Sequence, residues 1–369
     1  MSEKLRLGLL FGGRSGEHEV SLMSARSVIA SLDSDRYDVV LIGIDHAGRW
    51  FAGDGALDAF ESADLGGLDP VVLLPEPAGG WLFRRQADQA LERVVQLDVI
   101  FPMLHGTFGE DGTLQGLLEL ADVAYVGAGV LASAVAMDKV LFKSLMRAHN
   151  IPQIEFVALD SDVIISDVER ALNEVEGLGG YPLFTKPANL GSSVGVNKVS
   201  GRSDLVEGLM EAAQYDRRVI VERGIEAREI EVSVLGNESP EVSIAGEIVP
   251  GDEFYSYRAK YLDDDSELKI PAPIDDVTME EVRDIAGRAF RAIDGAGMAR
   301  VDFLLEKTTG RLYLNEINTI PGFTQISMYP KLWEASGLPF PDLCDRLVVL
   351  GLARKAQRDR LVRTYGGDA

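Results

Sequence analysis

Residues 298–318 read MARVDFLLEKTTGRLYLNEIN. Polar and apolar residues alternate through the first half of this stretch, which is the pattern of a half-buried β-strand. Because successive strand side chains point to opposite faces, Arg300 and Asp302 share one face. The second half alternates in the same way and places Glu316 and Asn318 together. The stretch therefore predicts a β-hairpin that carries two polar pairs on one face.

The turn of this hairpin determines which residues face each other. A three-residue turn over residues 308–310, with Gly310 in the left-handed conformation, is a common way to join two such strands. This turn pairs Lys307 with Arg311. Continued along the strands, the same pairing brings the two polar pairs of the hairpin opposite each other.

The polar pairs predict a metal and phosphate site. Two carboxylates that face each other across a strand pair repel unless a cation lies between them. Asp302 and Glu316, with the amide of Asn318, form an oxygen-only ligand set that suits Mg2+ bridging the phosphates of ATP. Arg300 beside them can hold a phosphate or a developing oxyanion. A solvated hairpin face with incidental charges is the alternative, and the apolar residues around the cluster disfavour it.

The first third of the chain predicts an open, mostly parallel α/β sheet. Residues 5–11 form an apolar strand, followed by a glycine-rich turn over residues 12–16 and an amphipathic helix. Further strands are expected over residues 37–44 and 97–101. Strands that alternate with helices build parallel sheets, and ligands bind at the carboxyl ends of their strands. The loops after the first and third strands would lie at these ends.

Both loops carry candidate functional residues. In the first, residues 12–19, Glu17 follows the strand end and is suited to accept the ammonium group of a substrate. This loop lacks the G-x-G-x-x-G spacing of dinucleotide-binding proteins, which disfavours a dehydrogenase. The second loop, residues 104–116, is rich in glycine and polar residues. His105 within it has either a structural or a functional role.

A loop of small residues follows another apolar strand in the middle of the chain. Residues 186–196 read KPANLGSSVGV. Backbone N–H groups freed by Gly191 and Gly195 can cradle a phosphate, with Lys186 as a point charge. The order of glycine, lysine and hydroxyl residues is not that of a P-loop. A simple glycine and serine turn is the alternative.

Composition narrows the class of protein. A chain of 369 residues favours two or three domains. Its net charge of -23, from 36 Lys and Arg against 59 Asp and Glu, disfavours nucleic acid as a partner. The single cysteine, Cys344, lies among leucines as a buried structural thiol, which excludes a disulfide framework and favours the cytosol. The N-terminal apolar run over residues 7–11 is too short for a signal peptide or a membrane span.

Taken in their order along the chain, the four motifs resemble those of the D-alanine:D-alanine ligase family of ATP-grasp enzymes. The match extends from Leu7 to Pro330. The segments Met137-Asp138-Lys139 and Ala259-Lys260-Tyr261 also match the family pattern. The resemblance implies an α/β fold of three domains in ATP-grasp architecture. These are an N-terminal domain with an open parallel sheet (residues 1–127), a central ATP-grasp subdomain (128–221) and a C-terminal ATP-grasp subdomain (222–369) with a lid loop at about 250–269.

The resemblance also implies which residues bind ATP. They are Lys139, Lys186, Ser193, Glu222, Ile225, Glu229 and Lys260. The first two lysines would reach phosphates, and Lys260 would contact the transferred phosphate. Glu222 would face adenine and Glu229 the ribose hydroxyls, although both carboxylates also fit an ordinary surface role.

A second set of residues is implied for the substrates and for catalysis. The substrate residues are Glu17, His105, Arg300, Gly322, Ser327 and Met328, and the catalytic residues are Glu17, Ser192, Tyr261, Arg300 and Gly322. Tyr261 would close a hydrogen-bonded triad with Glu17 and Ser192, so that substrate binding locks the lid. In the family, tyrosine at this position accompanies D-alanine as the second substrate.

The implied reaction joins two D-alanine molecules through D-alanyl phosphate for peptidoglycan synthesis, with release of ADP and phosphate. The implied cofactor is a pair of Mg2+ ions, with Mn2+ as an alternative, on Asp302, Glu316 and Asn318. A cytoplasmic homodimer that acts on small molecules, without nucleic-acid or membrane partners, is expected. Two alternatives stay open: a ligase for another pair, such as D-alanine and D-lactate, and a non-catalytic ATP-binding regulator.

Overall fold

The structure is a computed structural model, and the residues it describes are 4–77, 79–191, 194–249 and 267–362. Four residues of the predicted site lie outside these ranges, namely Ser192, Ser193, Lys260 and Tyr261. Most of the predicted lid segment lies outside them as well.

The N-terminal third of the chain builds the first sheet. Its strands are β1 (Leu5–Gly12), β2 (Tyr37–Ile44), β3 (Trp50–Ala52), β4 (Asp69–Leu73), β5 (Trp81–Arg85), β6 (Leu91–Gln96), β7 (Val99–Pro102) and β8 (Ala124–Tyr125). Its helices are α1 (His18–Ser31), α2 (Ala56–Glu61) and α3 (Thr113–Leu120). The strands lie in the order β6-β5-β4-β3-β2-β1-β7-β8. Strand β1 is buried from Leu7 onward because it lies between two parallel neighbours in the interior of this sheet.

This sheet is parallel where the two predicted loops lie. Strand β1 pairs in parallel with β2 and β7, and β7 pairs in parallel with β8. From β2 to β6, each strand pairs with the next in antiparallel fashion. The predicted parallel arrangement is therefore found in the strands that carry the loops, and the rest of the sheet is antiparallel because successive strands there turn back directly on each other.

Two helices, α4 (Val130–Met137) and α5 (Lys139–Ala148), lead to the second sheet. Helix α5 begins after Asp138, whose side chain accepts hydrogen bonds from the backbone N–H groups of Val140 and Leu141. The second sheet has the strands β9 (Phe156–Asp160), β10 (Leu183–Pro187), β11 (Asn197–Val199) and β12 (Arg218–Arg223), in the antiparallel order β11-β10-β12-β9. Its helices are α6 (Ser161–Ser166), α7 (Val168–Glu176) and α8 (Arg202–Ala212).

The third sheet is antiparallel and carries the hairpin. Its strands are β13 (Ala227–Gly236), β14 (Glu241–Val242), β15 (Gly246–Val249), β16 (Glu267–Lys269), β17 (Gly297–Glu306) and β18 (Leu312–Asn318). Their order is β16-β15-β13-β17-β18, with β14 paired to β13. Helix α9 (Asp276–Ala292) covers one face, where Ile285 and Phe290 share a core with Val232 and Val301. Burial of this apolar face leaves the polar residues of the same strands on the opposite face.

The hairpin of β17 and β18 has the predicted polar pairing but not the predicted turn. Arg300 lies opposite Asn318, and Asp302 lies opposite Glu316. The turn is one residue longer than expected, because Glu306 rather than Lys307 is bonded to Arg311. A bulge that follows Asp302 shifts the register by one residue and restores the pairing further along. The predicted pairing of the polar residues is confirmed, and the predicted pairing of Lys307 with Arg311 is wrong.

The last two helices, α10 (Met328–Ala335) and α11 (Phe340–Asp359), complete the fold. Leu343 and Leu347 of α11 belong to the same core as Leu7 and Phe101 of the first sheet. Cys344 is buried in this core, and burial raises the pKa of its thiol to about 12, as expected of a structural cysteine. No helix in the described part of the chain is long and apolar enough to cross a membrane.

Candidate active site

The polar face of the hairpin holds Arg300 between two carboxylates. Arg300 Nε donates to Asp302 Oδ1 at 2.7 Å, and Nη2 donates to Asp302 Oδ2 at 2.6 Å. Asn318 Nδ2 donates to the same Oδ2 at 3.0 Å. On the other side, Glu231 lies opposite Asp302 on β13 and forms an ion pair with Arg300 Nε at 3.0 Å. The guanidinium is thus fixed by neighbours on two strands.

The donor atoms of this cluster fit a hard divalent cation. Asp302 and Glu316 supply carboxylates, and the amide of Asn318 retains a carbonyl oxygen beside the nitrogen that bonds Asp302. Within the residues that the structure describes, no three His, Cys, Asp or Glu side chains are grouped to hold a metal ion. The amide oxygen of Asn318 would therefore have to complete the predicted set. The three residues fit Mg2+ by donor type.

A buried carboxylate on β12 lies between two lysines. Lys186 Nζ donates to Glu222 Oε2 at 2.5 Å, and Lys143 Nζ forms an ion pair with Glu222 Oε1 at 2.7 Å. Burial opposes the ionisation of Glu222, but the two lysines lower its pKa well below the usual range. Burial also opposes the charge on Lys186, whose pKa is nevertheless raised by Glu222, with smaller effects of Glu316 and Glu229.

The charges of Glu316 and Glu229 raise the pKa of Lys186 although the lysine belongs to the second sheet and both carboxylates belong to the third. The loop of residues 186–196, which we call the phosphate loop after its predicted role, and the hairpin therefore border the same region. Lys139 lies against the same loop, where its Nζ donates to the backbone oxygen of Leu190 at 2.6 Å and its backbone N–H to that of Ala188 at 3.0 Å. Both predicted phosphate lysines are thus held along the loop that starts at residue 186.

Glu17 lies where the two N-terminal loops meet the phosphate loop. Its side chain is buried beneath Gly106, where a Cβ would come within 2.4 Å of Glu17 Oε2. A Cβ on Gly191 of the phosphate loop would lie 3.5 Å from the same oxygen. The hydroxyl of Ser15 donates to the backbone oxygen of His105 at 2.9 Å and joins the two N-terminal loops. Glycine at position 106 leaves the space that the Glu17 carboxylate occupies.

His105 is buried, and both of its ring nitrogens have partners. Nδ1 lies 2.9 Å from the backbone oxygen of Ile320, and Nε2 lies 2.9 Å from Ser24 Oγ. A carbonyl oxygen only accepts, so Nδ1 carries the proton and the Ser24 hydroxyl donates to Nε2. Burial lowers the pKa of His105, partly offset by the charge of Glu17, which favours this neutral form.

Glu110 lies in the same loop as His105. It accepts hydrogen bonds from the N–H groups of Gly106 at 2.7 Å and Ile320 at 3.3 Å. Burial and the charge of Glu17 raise the pKa of Glu110 to about 8, against the effect of these two donors and of Arg300. Arg300 of the hairpin also lowers the pKa of His105, so the hairpin cluster and this loop are electrostatic neighbours.

The remaining predicted residues lie around this region with different environments. Gly322 is buried in the turn that follows β18. Ser327 Oγ accepts from the Thr324 N–H at 3.1 Å just before α10 begins. Met328 packs in an apolar cluster with Ile248 and Leu332, and Gly246 approaches its sulfur closely. Ile225 and Glu229 are half-buried, the first between β12 and β13 and the second on β13.

An N-terminal α/β sheet followed by two antiparallel sheets, with a lysine loop and a carboxylate hairpin bordering one region, is the architecture of ATP-grasp enzymes. Family models match both parts of the chain: D-ala D-ala ligase N-terminus over residues 6–128 and D-ala D-ala ligase C-terminus over residues 145–349. The chain belongs to the D-ala D-ala ligase family, and it is therefore a ligase by class.

Individual relatives agree with this assignment. The chain is 50% identical over 357 residues to the D-alanine--D-alanine ligase of Heliobacterium modesticaldum, covering 97% of each chain. It is 50% identical over 361 residues to that of Thermoanaerobacter sp., covering 97% of this chain and 99% of the relative.

Solved structures show the same fold. The D-alanine-D-alanine ligase from Coxiella burnetii has a TM-score of 0.84 at 38% identity and covers 98% of both chains. The VanG D-Ala:D-Ser ligase from Enterococcus faecalis has a TM-score of 0.84 at 34% identity. The match covers 95% of this chain and 100% of the VanG chain.

Three residues of the region were not predicted from the sequence. Glu231 follows Glu229 by two positions on one strand, so strand alternation alone places them on the same face. Lys143 follows Lys139 by four positions on α5, so it lies one helical turn further along. Glu110 lies within the glycine-rich loop of residues 104–116, but nothing in its sequence context indicates that it contacts Ile320.

Proposed function

We propose that this protein joins two molecules of D-alanine to D-alanyl-D-alanine at the expense of ATP, through a D-alanyl phosphate intermediate. The supporting observation is that the phosphate-loop lysine and the carboxylate hairpin lie close enough for their charges to interact. The relatives named D-alanine--D-alanine ligase, which span nearly the whole chain, support the choice of substrate.

In the proposed mechanism, the γ-phosphate of ATP passes to the carboxylate of the first D-alanine, which becomes an acyl phosphate while ADP is formed. Lys139 and Lys186, with Ser193 of the same loop, hold the phosphates, and Lys260 contacts the phosphate that moves. Glu222 and Ile225 border adenine, and Glu229 accepts hydrogen bonds from the ribose hydroxyls. Because two lysines keep Glu222 ionised, it remains a hydrogen-bond acceptor at neutral pH.

The hairpin would hold the cations that neutralise the charge of the phosphates. Mg2+ ions, or Mn2+ in their place, would be held by Asp302, Glu316 and Asn318 and would supply positive charge to the phosphates. Arg300 orients the reacting carboxylate, and its ion pair with Glu231 leaves it anchored on a second strand. Arg300 and the Gly322 N–H stabilise the oxyanion when the second amine attacks the acyl phosphate and phosphate leaves.

The first D-alanine is placed by its ammonium group and the second by its carboxylate. The buried carboxylate of Glu17 accepts the ammonium group of the first substrate, with Ser192 and Tyr261 completing a hydrogen-bonded triad that holds the lid. Ser327 and Met328 border the second substrate, where the Ser327 hydroxyl binds its carboxylate. His105 lies near the first substrate, and its Nδ1 bonds Ile320 in the turn that follows β18.

We further propose the division into residues 1–127, 128–221 and 222–369, with the lid at about 250–269. The three sheets, each built from one consecutive part of the chain, support this division. We also propose that the protein is a homodimer and that it acts in the cytoplasm, where ATP and D-alanine are both present. Neither nucleic acid nor membrane is needed as a partner.

Ligation of D-alanine to a different second substrate is the alternative that one observation favours. The structural relative from Enterococcus faecalis, VanG, is a D-Ala:D-Ser ligase and is 34% identical to this chain. D-Lactate is a third choice. Retention of Arg300, the carboxylates and the lysines in one region disfavours a non-catalytic regulator, because binding alone does not require Arg300 beside the metal ligands.

Phosphate release from ATP tests the proposal. We expect release to require D-alanine and Mg2+, and to be weak with L-alanine. D-Serine and D-lactate are then offered beside limiting D-alanine, and the products are separated by mass. Equal turnover with any amino acid would contradict the assignment of D-alanine, and a predominant mixed product would favour the alternative.

A further inference from the structure

The turn that follows the hairpin is held by the N-terminal loop at a single peptide segment. Ile320 donates its N–H to Glu110 at 3.3 Å and offers its carbonyl oxygen to His105 at 2.9 Å. Two positions before Gly322, both backbone polar groups of one residue are therefore bound by the same loop. These partners are 210 and 215 residues away in sequence.

A third contact holds the other side of Gly322. The N–H of Phe323 donates to Ser24 Oγ at 3.3 Å, and Ser24 in turn bonds His105. The Phe323 ring packs edge-on against Phe101 of β7 with centroids 6.0 Å apart. Gly322 is thus flanked by anchored residues on both sides, and its own N–H direction follows from theirs.

We propose that Glu110 is a positioning residue that, together with His105 and Ser24, sets the direction of the Gly322 N–H toward the reacting carbonyl. The inference rests on the proposed function, in which that N–H stabilises the oxyanion. It also assigns His105 to the turn, because its Nδ1 bonds Ile320 and its Nε2 bonds Ser24, which in turn bonds Phe323.

The chemistry of a carboxyl group suits this position. Both oxygens of Glu110 accept an N–H, from Gly106 and from Ile320, and they can do so whether or not one of them carries a proton. A glutamine at this position has one carbonyl oxygen and one NH2 group, so one of the two N–H groups would face a donor. In a buried site, the unmatched N–H would draw the turn away from its present place.

Glu110→Gln is the direct test, and Asp111→Asn is its matched control. Asp111 belongs to the same loop, but its hydrogen bonds in the described part of the chain join it to Phe108 and Thr113 of that loop. At saturating ATP, Mg2+ and D-alanine, we expect kcat of Glu110→Gln to fall by about 10- to 100-fold, because a misplaced oxyanion donor acts on the transition state. The KM for ATP should stay within about twofold, and the control should retain a kcat near that of the wild type.

Hydrogen exchange of the peptide that covers residues 319–324 gives a second readout that needs no activity. We expect this peptide to exchange faster in Glu110→Gln than in the wild type, and to be unchanged in Asp111→Asn. If Glu110→Gln does not fold, Ser24→Ala provides the same comparison through Phe323. A kcat equal to that of the control, or a loss confined to the KM for ATP, would overturn the inference, as would unchanged exchange. If the wild type releases no phosphate with D-alanine, the proposed function fails while the exchange result still decides the role of Glu110.

Discussion

Replacement of Lys143 by Met tests how the buried carboxylate on β12 is stabilised. Lys143 is 2% exposed, and its Nζ lies 2.7 Å from Glu222 Oε1, whereas Lys186 holds the other oxygen at 2.5 Å. Met preserves the length and the apolar part of the side chain but removes the charge. Glu222 would then keep one cationic partner in place of two.

The expected loss follows from the burial of this pair. Removal of one partner from a buried ion pair costs about 3–5 kcal/mol, because the remaining charge is left without compensation. Since Lys186 still neutralises part of the Glu222 charge, we expect the lower end, about 3 kcal/mol, in the free energy of unfolding. Exposed Lys307 in the hairpin turn is the control, and Lys307→Met should change the free energy by less than about 0.5 kcal/mol.

The pH dependence of this loss has a definite sign. The folded-state pKa of Glu222 is lowered, so its stabilisation is present above the unfolded pKa of about 4.3 and is lost as the pH falls through the lower folded value. Without Lys143, the folded pKa of Glu222 rises. The difference between wild type and variant should therefore be largest near neutral pH and should shrink as the pH falls below about 4.

Urea unfolding followed by circular dichroism measures these differences. Addition of Glu222→Gln to the Lys143→Met variant should lower the stability further, because Lys186 then loses its carboxylate partner. A Lys143→Met variant as stable as the Lys307 control would refute this account of the ion pair. A double variant that is as stable as Lys143→Met alone would also contradict it.

Two further predictions concern the metal site and the second substrate. Glu316→Gln should abolish phosphate release and weaken Mg2+-dependent binding of ADP in calorimetry, because a neutral amide replaces a ligand carboxylate. The control, Glu306→Gln at the far end of the same hairpin, should change neither. Undiminished phosphate release would show that Glu316 does not belong to the metal site. Tyr261→Phe should shift the product ratio toward D-lactate over D-alanine, because the proposed triad with Glu17 loses its hydroxyl; an unchanged ratio by mass spectrometry would count against the triad.

The sequence alone was sufficient for the local arrangement of the hairpin. Strand alternation fixes which side chains share a face, so Arg300 and Asp302 could be placed together before any fold was known. Their pairing with Asn318 and Glu316 was also predicted correctly. The turn was not, because a longer turn and a bulge shift the register in opposite directions, and local propensity does not distinguish that combination from a regular hairpin.

Only the tertiary structure could show the contacts between distant segments. The bonds of Glu110 and His105 to Ile320 join residues more than 200 positions apart, and the neutralisation of Glu222 joins α5 to two strands of the second sheet. The periodicity of the sequence shows on which face of a strand or helix a side chain lies. The packing of the sheets and helices decides which other segment that face contacts. The residue types of the site were therefore determined by the sequence, and the partners that fix their charge and direction were determined by the fold.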